Sequence, residues 1–216
     1  MNVLSFTTGV REGNARAPRA LSRLLKIRPY KAPAARAEQI HGSHLVIVPK
    51  LSKEKVYPGA DGLLTATPDQ PLAIFTADCV PVFLSADRAG VVGLLHAGWR
   101  GVHGHILARA VRLMRRRWHV APSSIRAWAG PSIGPCCFQV RWDTARYFPS
   151  TRRRSEGTWR VDLEGELRRQ AKRLGIYWTS KTPSQGCTMH GSRYYSYRRD
   201  RTDKRQVSII MMREQA

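Results

Sequence analysis

A chain of 216 residues with 42% hydrophobic residues is long and apolar enough to bury a core, which excludes an intrinsically disordered protein. The 37 Lys and Arg outweigh 15 Asp and Glu, giving a formal net charge of +22, so the surface attracts polyanions. No run of about 18 apolar residues occurs, so no membrane-spanning helix is expected.

The segment Met1 to Val10 lacks a basic stretch followed by a long apolar one, so no secretory signal is expected. Arg11 to Arg36 is basic, and Leu21, Leu24 and Leu25 within it predict a short helix. Strand-length apolar runs follow at Leu45 to Val48, Leu72 to Thr76, Val80 to Leu84, Val91 to Leu95, Ile125 to Ala129 and Val207 to Met212. Their β-branched residues and neighbouring Gly or Pro favour strands.

Two helices interleave with these. Leu107, Ala110, Val111, Met114 and Trp118 recur at helical spacing, with Arg109, Arg112, Arg115 and Arg116 on the other faces. Leu163, Leu167, Ala171 and Leu174 form a second stripe. Asp162 is placed to cap its start, and Gly175 to end it after Lys172 and Arg173. Strands outnumber helices without strict alternation, so a mixed α+β layered fold is preferred to a doubly wound parallel sheet. No linker divides the chain, which predicts one domain over residues 1–216. Four cysteines, of which Cys136 and Cys137 are adjacent, do not make a disulfide scaffold. A reducing, cytoplasmic setting is expected.

The chemistry concentrates in Thr76-Ala77-Asp78-Cys79 and His96-Ala97-Gly98-Trp99-Arg100-Gly101. Each lies at the end of an apolar run. A separation of 17 residues from Cys79 to His96 lets two neighbouring strands bring both side chains to one sheet edge. Gly98 and Gly101 permit close backbone approach, and Arg100 offers a fork of donors to phosphate or carboxylate. His41, in Gln39-Ile40-His41-Gly42, precedes a strand. Three readings are open on the residues alone. His41, Cys79 and His96 can form a three-ligand metal site with an open fourth position, the pattern of catalytic zinc; copper also accepts His and Cys. Cys79 and His96 can form a nucleophile pair. They can also be a buried cysteine and capping histidines. His103 and His105 read as polar residues opening a helix, His44 and His119 as surface residues, and His190 as a loop residue with no evident partner.

Six motifs in order carry a resemblance. They are Gln39-Ile40-His41-Gly42, Asp61-Gly62-Leu63-Leu64-Thr65, Thr76 to Val82, His96 to Gly101, Gly130-Pro131-Ser132-Ile133-Gly134-Pro135-Cys136-Cys137 and Tyr195-Ser196-Tyr197-Arg198-Arg199-Asp200. Together the set resembles the bacterial YfiH-type family, also called the laccase-domain or polyphenol-oxidoreductase family, over roughly residues 39–212. The resemblance implies a single-domain, four-layer α/β/β/α sandwich with mixed sheets, distantly similar to the Cys–His deamidase domain of cytotoxic necrotizing factor. It implies Zn or Cu held by His41, Cys79 and His96. It further implies phosphorolysis of adenosine, inosine and methylthioadenosine, with adenosine deamination as a side activity. Cys136, Cys137 and Arg198 match motif positions near the implied pocket. Phe6-Thr7-Thr8-Gly9 departs from the family's Phe-Ser-Thr-Arg opening, which marks residues 1–38 as a divergent basic segment.

On this reading Cys79, His96 and Arg100 are the catalytic candidates, and Arg100, Cys137 and Arg198 the substrate-binding ones. The partners are a nucleoside and phosphate, with no membrane. A copper-dependent polyphenol oxidase is the runner-up, weakened because His103-Gly104-His105 is the single His-x-His pair. A basic nucleic-acid-binding protein is the third reading, disfavoured by the lack of zinc-finger, RNA-recognition or helix-turn-helix signatures. Cytidine-type deaminase motifs are absent, since Pro135-Cys136-Cys137 has the wrong spacing.

Overall fold

The computed structural model describes residues 2–17, 19–21, 23, 32–149, 151–153, 157–179 and 186–213. In chain order the strands are β1 (Asn2–Thr7), β2 (Ala35–Ala37), β3 (Leu45–Ile47), β4 (Lys55–Tyr57), β5 (Gly62–Thr65), β6 (Leu72–Thr76), β7 (Val80–Ala86) and β8 (Val91–Ala97). They continue with β9 (Arg126–Ala129), β10 (Gln139–Val140), β11 (Arg152–Arg153), β12 (Trp159–Arg160), β13 (Tyr177–Trp178) and β14 (Gln206–Arg213). The α-helices are α1 (Trp99–His103), α2 (Ile106–Trp118), α3 (Trp142–Ala145), α4 (Leu163–Leu174) and α5 (Tyr197–Asp200).

Two mixed sheets lie face to face. One has five strands in the order β1-β14-β6-β2-β4, the other six in the order β13-β9-β7-β8-β5-β3. A small sheet of β10, β12 and β11 stands apart from both. The two-residue period of a strand sorts the side chains between layers. Along β7, Val80, Val82 and Leu84 pack with Leu107, Ala110 and Met114 of α2 and Leu167 and Ala171 of α4. Phe83, between them, turns to the other face and joins Leu72, Ile74, Leu94 and Ile210 between the sheets. Strand β14 splits likewise: Ile210 and Met212 face the inter-sheet core, whereas Val207, Ile209 and Met211 pack with Ala15, Leu21 and Ala34. Both faces of both sheets are therefore covered, and β6, β7 and β8 are buried along their whole length.

This is the expected four-layer, single-domain arrangement. Ala15, Leu21 and Ala34 of the N-terminal segment supply the outermost layer, with Ala20, Leu21 and Arg23 helical. Leu24 and Leu25, on which the predicted short helix also rested, lie outside the described residues. Both longer helices form where the apolar stripes place them. Asp162 caps α4 by accepting from the Gly165 N–H at 2.8 Å, and Gly175 closes it with φ of 68°. Strands β1, β2, β4 and β5 were not expected. They are short or carry no continuous apolar run, and tertiary pairing overrides their weak propensity. Among them β5 matters most for the site: it lies beside β8, with Gly62 opposite Leu95, and brings Asp61 to the sheet edge.

Candidate metal centre

Cys79 sits where the chain passes from one sheet to the other, between the end of β6 at Thr76 and the start of β7 at Val80. The antiparallel β7–β8 hairpin pairs Pro81 with His96 and Val80 with Ala97. This is the out-and-back path inferred from the Cys79–His96 spacing, and it puts both residues at one edge. Asp78 takes a left-handed backbone with φ of 95°, a conformation that costs roughly 1–3 kcal/mol for a non-glycine residue. Three bonds hold it there. Its carbonyl accepts from the Ile133 N–H at 2.9 Å, and its carboxylate accepts from the Thr188 hydroxyl and the Arg198 N–H, each at 2.6 Å.

His41 arrives on a tight turn in which Gln39 and His41 both have positive φ, 68° and 64°. The Gln39 side chain anchors the turn to β6, accepting from the Phe75 N–H at 2.7 Å and donating to the Phe75 carbonyl at 2.5 Å. The buried Asp61 carboxylate completes it. Its oxygens accept from the His41 N–H at 2.9 Å, the Gly42 N–H at 2.7 Å and the His96 Nδ1–H at 2.8 Å. One buried acid thus fixes the backbone of one histidine and the ring of the other. Burial pushes the Asp61 pKa up, but the His96 ring and the two N–H donors outweigh it and hold the carboxyl below its usual range.

The donor atoms of His41, Cys79 and His96 lie within 4.8 Å of one another. With Nδ1 of His96 held by Asp61, its Nε2 is left for an ion, the carboxylate–histidine–metal arrangement that fixes the tautomer of a ligand. The two imidazoles meet edge to face, with centroids 4.8 Å apart and planes at 77°. Burial pushes the Cys79 thiol up, but the His96 charge and hydrogen bonds from His41 and His96 bring it down to about 6. Burial pushes His96 down, but the Cys79 thiolate and Asp61 raise it to about 9. Both shifts run in the direction that favours the thiolate, the form that metal binding and nucleophilic attack need. Gly98 leaves the approach open: a Cβ there would stand 3.2 Å from Cys79 Sγ and 3.4 Å from the His41 ring. Two imidazoles and one thiolate fit zinc or copper.

The other expected site residues fall differently. Arg100 is exposed on α1, stacked 4.4 Å over the Trp99 ring, and its guanidinium has no protein acceptor among the described residues. Arg198 already donates to the Gln139 carbonyl at 2.8 Å. Cys137 is gathered with Cys136, Cys187 and His190 rather than with His41, Cys79 and His96. His103 and His105 belong to neither histidine–cysteine group; His103 packs on Tyr147 at 4.1 Å, and His105 occupies a left-handed position before α2. The residue that sequence reasoning passed over is Asp61. Its signal was an acid immediately before the apolar run Gly62-Leu63-Leu64.

Comparison with known proteins now places the chain. Residues 4–213 match the family model described as multi-copper polyphenol oxidoreductase laccase. The chain belongs to this family. A purine nucleoside phosphorylase, YlmD, from Geobacillus stearothermophilus is 36% identical over 196 residues, covering 82% of this chain and 72% of the relative. A protein of the same description from Haemophilus influenzae is 28% identical over 220 residues, covering 96% and 86%. The crystal structure of the Geobacillus YlmD superposes with a TM-score of 0.83 at 30% identity, covering 98% of this chain and 92% of that one. That of a Neisseria meningitidis protein does so with a TM-score of 0.83 at 26% identity, covering 99% and 95%. The laccase-domain, YfiH-type resemblance drawn from six motifs is therefore the family itself.

Proposed function

We propose that this protein is a metal-dependent purine nucleoside phosphorylase acting on adenosine, inosine and methylthioadenosine, with adenosine deamination as a side activity. The observation that carries the reading is the convergence of His41, Cys79 and His96 under a single buried Asp61, in a chain whose relatives are named purine nucleoside phosphorylases. Zinc or copper bound there supplies a Lewis acid with an open position.

In phosphorolysis an oxygen of phosphate bonds to C1′ of the ribose. The bond from C1′ to the purine nitrogen breaks, and the base leaves with the electron pair and takes a proton. The chain's own residues prepare this. Asp61 orients both histidines, and Gly98 keeps the face of Cys79 clear for substrate. Arg100 presents a guanidinium that stacks on Trp99 and has no hydrogen-bond acceptor among the described residues, suited to clamp phosphate. Arg198 spans Asp78 and Gln139 and would orient the substrate at the rim. Cys137 leaves the substrate-binding set, since its partners are those of another cluster. Four free cysteines fit a reducing cytoplasm.

The test is release of hypoxanthine from inosine by the metal-loaded protein. The expected result is release that requires phosphate and yields ribose 1-phosphate. Equal release without phosphate would overturn the reading. The family description favours polyphenol oxidation as the second reading, and one His₂Cys site accepts copper. The other candidate metal group among the described residues consists of three cysteines and one histidine, so no histidine cluster stands ready for the oxygen-reducing coppers of a full laccase.

A further inference from the structure

Away from His41, Cys79 and His96, three thiols and an imidazole converge. Cys136, Cys137, Cys187 and His190 bring their ligand atoms within 4.8 Å of one another. Cys137 Sγ lies 3.1 Å from His190 Nε2. We propose that these four side chains bind a second metal ion, a zinc held in a closed Cys₃His site.

The local backbone is built for it. Side chains of adjacent residues diverge on an extended chain, but Gly134–Phe138 is a tight turn. In it the Cys137 and Phe138 N–H groups both donate to the Gly134 carbonyl, at 3.0 and 2.9 Å. That turn lets Cys136 and Cys137 face one point. Cys187 and His190 are spaced as Cys-x-x-His, and the His190 N–H closes their turn on the Cys187 carbonyl at 2.9 Å. The Gly134 N–H donates to Cys187 Sγ at 3.2 Å, a contact that favours a thiolate. A side chain at Gly134 would crowd the cluster, since a Cβ there would stand 3.2 Å from Cys136 Sγ. A disulfide would use two of the four groups and leave an odd thiol beside an imidazole. Four N and S donors in a closed set are the composition of structural zinc, whereas three donors and an opening mark a catalytic ion.

The site would brace the first centre, a consequence that rests on the reading of Cys79 as a metal ligand. The two segments it joins also meet in an isolated bridge, Ser132 to Cys187. Both then clamp Asp78, through the Ile133 N–H and the Thr188 hydroxyl, next to Cys79. Arg199 fastens the same loop, donating to the carbonyls of Thr188, Gly191 and Tyr194. The ion would therefore set the loop that positions Cys79 without touching substrate.

Zinc is counted per chain on the full-length protein after removal of all metal and dialysis against zinc. The wild type is expected to hold two ions, and Cys79→Ser one. X-ray absorption at the zinc edge of Cys79→Ser is expected to show three sulfur neighbours and one nitrogen. Paired Cys187→Ser and His190→Ala variants are expected to lose one ion and keep the other. Because Cys79→Ser leaves the second cluster intact, its zinc content decides the matter even where Cys187→Ser does not fold. A metal-free Cys79→Ser protein, or one with Cys187 recovered in a disulfide under reducing conditions, would overturn the second site. Such a result leaves the phosphorylase reading standing. Phosphate-independent release from inosine would sink that reading and leave the second site untouched.

Discussion

Asp61 is the residue on which the proposed centre depends most and the one least visible in the sequence. A buried carboxylate that holds one ligand ring and the backbone of another acts on the metal without touching it. Outer-sphere partners of this kind typically change affinity by roughly 10- to 100-fold. Asp61→Asn keeps the shape but removes the charge that holds Nδ1–H of His96. Competitive zinc titration is expected to show affinity at the first centre falling within that range, with the far-ultraviolet circular dichroism unchanged. Unchanged affinity would mean that Asp61 serves only the fold. The proposed ligands Cys79 and His96 drew notice in the sequence because each lies beside an apolar run of strand length, and His41 because it stands in the motif Gln39-Ile40-His41-Gly42. Asp61 stood in a quoted motif, but its role depends on β5 lying beside β8, a pairing that no local pattern announces. His190 and Cys187 were opaque for the same reason: their partners are about 50 residues away in sequence.

The strands that position Cys79 and His96, β7 and β8, are buried on both faces along their whole length. Helix α2 lays Leu107, Ala110 and Met114 on β7 and β8, directly behind the hairpin that brings Cys79 and His96 together. Helix α4 packs beside it, and its Gln170 donates to the Val102 carbonyl, tying it to α1. Leu107→Ala is expected to cost about 2–5 kcal/mol, the usual range for a fully buried leucine. Asp162→Ala, which removes the cap of α4 alone, is expected to cost about 1 kcal/mol. Urea unfolding of the two variants beside the wild type checks both values and their order. These helices were readable from periodicity and end signals. The strands were readable where continuous apolar runs occur, at β3, β6 to β9 and β14. They were not at β1, β2 and β4, which hold place by pairing, β1 with β14, β2 with β6 and β4 with β2, rather than by their own composition.

At the scale of the whole molecule the net charge of +22 sits largely on solvated faces. Arg109, Arg112, Arg115, Arg116 and Arg117 all line the exposed side of α2, opposite the residues that grip the sheet. This field draws phosphate and other anions toward the protein without selecting among them. On the proposed function, selection belongs to the sheet edge, where three donors meet under Asp61 and the Arg100 guanidinium has no hydrogen-bond acceptor among the described residues. The N-terminal segment covers the five-stranded sheet through Ala15 and Leu21, while the proposed metal edge is built from β5, β7, β8 and the turn at His41. The most direct test of this account is the zinc content of the wild type measured beside His41→Ala. The account predicts that the variant holds one ion fewer per chain. Equal metal content in the two proteins would remove His41 from the centre and contradict it.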